Sequence, residues 1–361
     1  MDKDIYLKNW VLLQPITATD QYLAINKFNG QACSFRKKEK PESEGWFHWL
    51  IVPAPGNRYW IFNRSAQGGA GECLALPHGT RVFGQWKFID EPRQTFAIAH
   101  HDDGSVTLTC EEDHQVVSTR WDQPVFGWNY TPGDKQQRLR ILPVEELALP
   151  VIPEIDGEPG ALDRDLLRVD SFESEVVRQT PRRVVGAELV AFTSVDDGAI
   201  GERMNNSPYY LLVRETYWKQ SFDEEYSGAG SNERSLEWEV GVIATSERSL
   251  EKTMNVEVGI NGTYKLGGKS GPGLERGIST SFKYGTTWFC KDSVERHEKR
   301  REKSVRTFPE GKRARVVCWH LVNVYTLKRR PNEVVGQIAC VEPTFRVERS
   351  FPPAGVPLAV S

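Results

Sequence analysis

Two short clusters hold residue types that could do chemistry. Gly268-Lys269-Ser270 has the ending of a phosphate loop, in which backbone N–H groups and a lysine cradle a phosphate. The first glycine of that motif would fall at Thr263, and no helix pattern follows. His100-His101-Asp102-Asp103 brings together imidazoles and carboxylates that suit a metal ion. It stands directly before Gly104, however, where an exposed turn is the simpler reading. The chain has no HExxH, GxSxG or CxxC motif, and Cys33, Cys73, Cys110, Cys290, Cys318 and Cys340 are scattered. They read as buried thiols rather than as a zinc site or a disulfide framework. The expectation is a protein that is not an enzyme and carries no catalytic residue, metal or cofactor.

The stretch from Lys252 to Phe289 offers a different chemistry, that of a ribbon facing two solvents. Met254, Val256, Val258, Ile260, Tyr264 and Leu266 hold even positions, with Glu257 and Lys265 among the polar residues at odd ones. A period of two marks a strand with two unlike faces. After a glycine-rich break at Gly267–Gly273, Ile278, Thr280, Phe282 and Tyr284 continue the less polar row, and Glu275 and Lys283 the polar one. Each arm reaches the roughly nine to eleven residues that a tilted strand needs to cross a bilayer. The apolar row is thin, broken by Gly262 and Arg276, while the polar row is rich in Ser, Thr, Gly and Asn, as a water-filled lumen would be. Tyr284 and Trp288 stand where an interfacial aromatic girdle belongs. An ordinary antiparallel pair with one face on a core fits the same alternation, so both readings stay open at this point.

The elements around this ribbon are strands. The 361 residues include 11 Trp, 11 Tyr, 16 Phe, 30 Gly and 21 Pro, a mixture that favours many short strands and turns, hence an all-β fold of two domains. The net charge of −3 provides no global field for nucleic acid, and no nucleic-acid partner is expected. The start, Met-Asp-Lys-Asp-Ile-Tyr, lacks the basic-then-apolar order of a secretory signal, and no run of about eighteen apolar residues occurs. The chain reads as produced soluble without a signal peptide.

Residues 1–147 carry a weak threefold repeat. Phe47-His48-Trp49, Gln94-Thr95-Phe96 and Gln137-Arg138-Leu139 each place one tag residue two positions before a large apolar one, at spacings of 47 and 43 residues. Tyr22–Ile25, Cys73–Leu76 and Val106–Thr109 are read as equivalent strands ahead of the tags. This pattern resembles the ricin-B-type β-trefoil, whose repeats end in Gln-x-Trp; Gln94-x-Phe96 is nearest to that form. The resemblance implies a sugar pocket made of an acidic side chain, a stacking aromatic and an amide. Asp113, Trp128 and Asn129 match that set in the third repeat, and Trp86 and Asp90 in the second.

A proline- and acid-rich linker spans 148–164. The second domain, 165–361, has strand character at 184–195, 209–222, 237–250 and 314–327, and helix is expected only at Asp163–Val169. The mixed-charge run Val294–Ser304 reads as a solvated strand or loop. Val258–Leu266, Gly277–Tyr284, Phe308–Val317 and Val335–Ile338 resemble the aerolysin-like β-pore-forming toxins of the epsilon-toxin and mosquitocidal-toxin type. That resemblance implies an elongated antiparallel domain whose amphipathic hairpin inserts into lipid as part of a transmembrane barrel. It further implies a cell-surface glycan or glycoprotein receptor, membrane lipid and a homo-oligomer as partners, with action at the target-cell membrane after release. A non-lytic lectin with an inert β module and a lectin-tagged glycoside hydrolase are the alternative readings.

Overall fold

The computed structural model describes residues 6–25, 32–37, 40, 45–54, 58–65, 72–77, 80–89, 91–119, 125–195, 197–226, 232–245, 256–258, 264–266, 300–308 and 313–353. The chain divides into two compact units. The first is Met1–Leu149 with Ala191–Tyr209, and the second is Pro150–Val190 with Tyr210–Ser361.

The first unit contains twelve described strands in its Met1–Leu149 part: β1 (Asn9–Pro15), β2 (Gln21–Ile25), β3 (Cys33–Lys37), β4 (Trp49–Ala54), β5 (Arg58–Asn63), β6 (Glu72–Ala75), β7 (Gly84–Lys87), β8 (Phe96–His100), β9 (Val106–Cys110), β10 (Gln115–Ser118), β11 (Phe126–Asn129) and β12 (Leu139–Glu146). β1, β4, β5, β8, β9 and β12 pair antiparallel in that order, and β12 returns to β1, closing a six-stranded barrel. Closure leaves no barrel edge unpaired. The hairpins β2–β3, β6–β7 and β10–β11 cap it. They meet in a cyclic triangle of backbone bonds: Cys33 donates to Phe83 (3.0 Å), Phe83 to Val125 (2.9 Å) and Val125 to Cys33 (2.9 Å). Four strands, three times over, around such a triangle form a β-trefoil.

The tags sit at equivalent places. A short 3-10 turn ends on each of them, at Gly45–Phe47, Pro92–Gln94 and Lys135–Gln137. Two positions on, Trp49, Phe96 and Leu139 begin β4, β8 and β12 and are buried together in the core. The two glutamines do the same work. Gln94 donates Nε2–H to the Lys87 carbonyl (2.7 Å) and accepts from the Ile89 amide (2.9 Å); Gln137 bonds the Asn129 carbonyl and the Thr131 amide, both at 2.8 Å. Each thereby satisfies two backbone groups where the cap hairpin ends. In the first repeat Phe47 replaces this clamp with packing against Leu12, Ala24 and Tyr22. One sequence alignment is corrected: Val106–Thr109 lies in β9, a barrel strand, and the counterpart of β2 and β6 is β10. The four-residue link between β9 and β10 brought two strands of similar composition close together.

The second unit pairs β13 (Arg183–Ala191), β14 (Tyr209–Tyr226), β19 (Ala314–Arg330), β20 (Glu333–Phe351), β15 (Asn232–Thr245) and β18 (Arg300–Phe308) in that spatial order. β14, β19 and β20 run 18, 17 and 19 residues. Alternation places Tyr217, Val322, Val324 and Val341 in one buried cluster and Trp218, Trp319, Leu321 and Val347 in another. Arg214, Asn323 and Glu342 form a buried polar bridge across β14, β19 and β20: Arg214 donates to Asn323 Oδ1 (3.1 Å) and Asn323 Nδ2 to Glu342 (2.8 Å).

The helix expected at Asp163–Val169 is absent as such. A 3-10 turn occupies Arg164–Leu166 after Asp163, whose φ of +58° is left-handed, while Leu167 and Val169 are buried two apart, as in an extended chain. The described α-helix, α1 (Ile200–Asn206), lies in the 191–209 excursion, where Arg203 donates to the Phe192 carbonyl at 2.9 Å. Val256–Val258 (β16) pairs antiparallel with Tyr264–Leu266 (β17). The arm read as one strand from Met254 to Leu266 therefore reverses between these strands; Asn261-Gly262 is a strong turn signal that the even-odd count does not register.

Gln137→Leu removes both bonds of the third clamp. We expect a loss of about 1–3 kcal/mol, measured as a lower urea midpoint of the trefoil; an unchanged midpoint would mean that the clamp is dispensable.

Candidate functional site

In the trefoil the two sequence-predicted aromatics prove to be symmetry mates. Trp86 and Trp128 each lie three residues beyond the triangle positions Phe83 and Val125, in β7 and β11. Trp86 is 41% exposed, and Trp128 is half-buried. Asp113 is exposed in the turn after β9, two residues before Gln115, which pairs with Asn129. Asp113 and Asn129 thus reach one end of the β10–β11 hairpin. Trp128 pairs with Val116 and faces the opposite side of that hairpin from Asn129, since neighbours in a strand alternate. Asp90 lies outside the described residues. Sequence reading passed over Tyr130, next to Asn129 and 51% exposed. Its counterpart Phe88 packs on Trp60 and Phe62 at 5.3 Å instead; the threefold offset was the signal that could have singled Tyr130 out.

His100 ends β8, opposite Val106, and His101–Asp103 begin the turn into β9. Gly104, at φ +76°, donates to the His101 carbonyl, and His101 Nε2 lies 2.7 Å from the Thr107 hydroxyl. Hydrogen bonds from the Ser105 hydroxyl and amide, with Arg138 beside it, hold the Asp103 carboxyl down at about 2. Among the described residues no group of three His, Cys, Asp or Glu could hold a metal ion. The five described cysteines are buried thiols.

The membrane-insertion candidates split. Val256, Glu257 and Val258 stand opposite Leu266, Lys265 and Tyr264 in register. Met254, Ile260, Glu275, Ile278, Thr280, Phe282, Lys283 and Tyr284 lie outside the described residues. What the structure adds is a flanking strand pair. Asn232–Val240 of β15 pairs with Arg300–Phe308 of β18 in unbroken antiparallel register, and residues 252–289 lie in the chain between these two strands. Among the described residues no helix is long and apolar enough to cross a membrane.

β15 changes partner where this pair ends, from β18 at Asn232–Val240 to β20 at Gly241–Thr245. β20 bulges at the same level, since His320 pairs with Arg346 while Val322 pairs with Val341. The fork holds a cavity of about 280 Å3 lined by Lys219, Ser221, Glu237, Glu239, His320 and Val322 among others. His320 Nδ1 lies 2.6 Å from the Ser221 hydroxyl. Burial, reinforced by the Arg346 charge, pushes its pKa down to about 4.

A histidine whose folded pKa lies below its unfolded value of about 6.5 leaves stability unaffected above that pH. The unfolded chain then binds the proton first, so stability falls as pH drops from about 6.5 towards 4. We expect the denaturant midpoint to decline across this window and His320→Gln to flatten that part of the profile; an identical slope in the variant would exclude His320 as its source.

Residues 183–353 match the family of insecticidal crystal toxins, P42. Two curated proteins named binary larvicide subunit BinA, from Lysinibacillus sphaericus, are 26% identical over 196 residues, 54% of this chain and 50% of their own length. The match therefore spans half of these relatives. The crystal structure of Cry35Ab1 superposes with a TM-score of 0.72 at 15% identity, covering 96% of this chain and 91% of that one, a likeness of fold along nearly the whole length. With the trefoil established by its strand pairing, the chain shares the fold of Cry35Ab1 along nearly its whole length, and its residues 183–353 are similar to the insecticidal crystal toxins P42.

Proposed function

We propose that this chain is an insecticidal-type pore-forming toxin. The trefoil, residues 1–147, attaches it to a glycan or glycoprotein on the target cell. The part from 165 to 361, joined through 148–164, assembles into a homo-oligomer on the membrane, and residues 252–289 insert as one hairpin of a shared β-barrel. The chain is made soluble, released from the producing cell, and acts at the target membrane without a catalytic step. The observation that supports this reading is the β15–β18 pair: residues 252–289, amphipathic in sequence and long enough to span lipid, lie in the chain between two strands already paired with each other. Insertion then extends an existing ladder. A solitary hairpin in lipid would leave a row of backbone groups unpaired on each edge at several kcal/mol per group, so ring assembly precedes insertion. Tethering by the trefoil raises the local concentration that assembly needs.

The relatives are each one subunit of a binary larvicide, which favours a second reading in which a different protein completes the pore. Dye release from target-cell vesicles with SDS-resistant oligomers from this chain alone supports the first reading. Binding without either is the outcome of the two-component reading or of a non-lytic lectin.

The strand pairing supplies a sharper test. Val256→Cys with Leu266→Cys places two thiols directly opposite each other, within the usual reach of a disulfide. Oxidised protein should bind cells but release no dye, with release restored by reduction; undiminished release from the cross-linked form would remove this stretch from the barrel. Tyr130→Ala should weaken attachment to receptor-bearing cells by about tenfold, the loss of one stacking anchor worth about 1.4 kcal/mol. Unchanged attachment would move the receptor site elsewhere.

A further inference from the structure

The segment between the trefoil and β13 is built into the second unit as a strap. At its start the Asp156 amide donates to the Val184 carbonyl (2.8 Å) and its carboxylate accepts from the Val184 amide (2.7 Å). Asp163 then takes both the Nε and Nη2 of Arg183, at 3.0 and 3.1 Å. Gly160 allows the close passage, because at φ +78° an added Cβ would stand 3.0 Å from the Phe345 ring.

Beyond this point side chains of the sheet hold the strap by its carbonyls. Trp218 Nε1 donates to Leu162 (3.0 Å) and Trp319 Nε1 to Val177 (2.6 Å). Arg315 Nη1 faces the carbonyls of Ser171 (3.4 Å), Phe172 (2.9 Å) and Ser174 (2.7 Å), while its Nε and Nη2 grip Asp223, each at 2.8 Å. Leu167 and Val169 fill the apolar cluster of Trp218, Val317, Trp319, Leu321 and Val347. The Phe172 ring meets Phe351 edge-on at 5.0 Å. Backbone pairing with the sheet comes at the end, where Gln220 donates to Arg178 and Thr180 to Trp218. The strap thus touches β14, β19 and β20 at once, and any movement that separates those strands must break it.

Chain topology adds a second observation. The chain passes between the units at 149/150, 190/191 and 209/210. A cut inside the strap removes only the first of these links. The receptor unit stays joined through 190/191 and 209/210, and the stretch 191–209 stays packed within it, with Phe192 buried 5.0 Å from Phe62. Arg168 offers an exposed basic side chain midway along the strap, between the buried Leu167 and Val169.

We propose that residues 162–180 are a releasable clasp that keeps β14, β19 and β20 closed, and that a trypsin-like protease makes its opening permanent by cutting after Arg168. In that step water adds across the Arg168–Val169 amide: the C–N bond breaks, Arg168 gains a carboxylate and Val169 an ammonium group. Because Leu167 and Val169 are buried, the protease acts on the opened segment, and the cutting rate follows its population. The functional half of this proposal rests on the pore-forming reading; the mechanical half does not.

The test compares native protein, Arg168→Gln and Trp319→Phe under limited trypsin. Mass spectrometry should find fragments ending at Arg168 and beginning at Val169 that co-elute until denatured. Trp319→Phe, which keeps the ring but loses its N–H, should be cut there about tenfold faster. Amide exchange in Arg315–Leu321 should rise after the cut in native protein and remain at the uncut level in Arg168→Gln. Dye release should rise at least about fivefold on trypsin treatment of native protein but not of Arg168→Gln. Fragments that separate without denaturant, an unchanged cutting rate in Trp319→Phe, or equal trypsin-stimulated release from native and Arg168→Gln protein would each overturn the clasp. Co-eluting fragments with raised exchange but no dye release from any form would uphold the clasp and refute the pore-forming reading.

Discussion

Every amide and carbonyl along a strand needs a partner on both edges of the sheet, and this constraint organises both halves of the chain. The trefoil meets it by closure: six strands return on themselves, and the caps close a smaller ring of three bonds among Cys33, Phe83 and Val125. The second unit meets it with length, laying strands of 17 to 19 residues side by side. β15 takes two partners in turn, β18 along Asn232–Val240 and then β20 along Gly241–Thr245. An extended segment can enter lipid only where every backbone group along it is paired, so the strands that flank 252–289 matter to any approach of that stretch to a membrane.

Where ladders end, side chains take over the accounting. Gln94 and Gln137 each close two backbone groups at a cap, and an aromatic two residues later anchors the turn in the core. In the second unit the same task falls to two indoles and a guanidinium, which accept no hydrogen bonds and here donate to carbonyls of the strap. Trp218 and Trp319 combine this with burial of their rings, so packing and hydrogen bonding act along one direction. A strap held this way is attached at a few strong points, whereas a ladder-paired strand is attached at every second residue.

The period-two rows, the shift in composition near residue 148 and the tag spacing made the all-β class and the trefoil legible in the sequence. What stayed hidden depends on distances across the chain. Phe47 breaks the glutamine pattern without breaking the fold, because packing against Leu12 and Ala24 occupies the same space. Sequence does not separate β10 from its neighbour β9, since short buried Val-containing strands look alike once their partners are unknown. The prolines and acids of 148–164 suggested a linker, but Trp218 and Arg315, more than fifty residues away, decide where the following segment lies. Alternation cannot by itself distinguish one strand from two folded on each other, as β16 and β17 are. Of the candidate site, the two tryptophans were legible and Tyr130 was not, because exposure belongs to the fold.

The threefold backbone does not bring threefold chemistry. The position that carries Trp86 and Trp128 in the second and third repeats carries Arg36 in the first, three residues past Cys33 in the same triangle. Arg36 turns to its own repeat, with Nε bonded to the Ser34 hydroxyl at 3.0 Å and its guanidinium 5.6 Å above the Trp46 ring. The aromatic plate there is thus occupied from within. The second repeat spends its next aromatic, Phe88, on Trp60 and Phe62, whereas the third leaves Tyr130 outward. Since Trp49, Phe96 and Leu139 carry the core burden equally, the loops are free to diverge. The third repeat, with Asp113, Asn129 and Tyr130 at one hairpin end, is left with the fullest set of groups for a sugar.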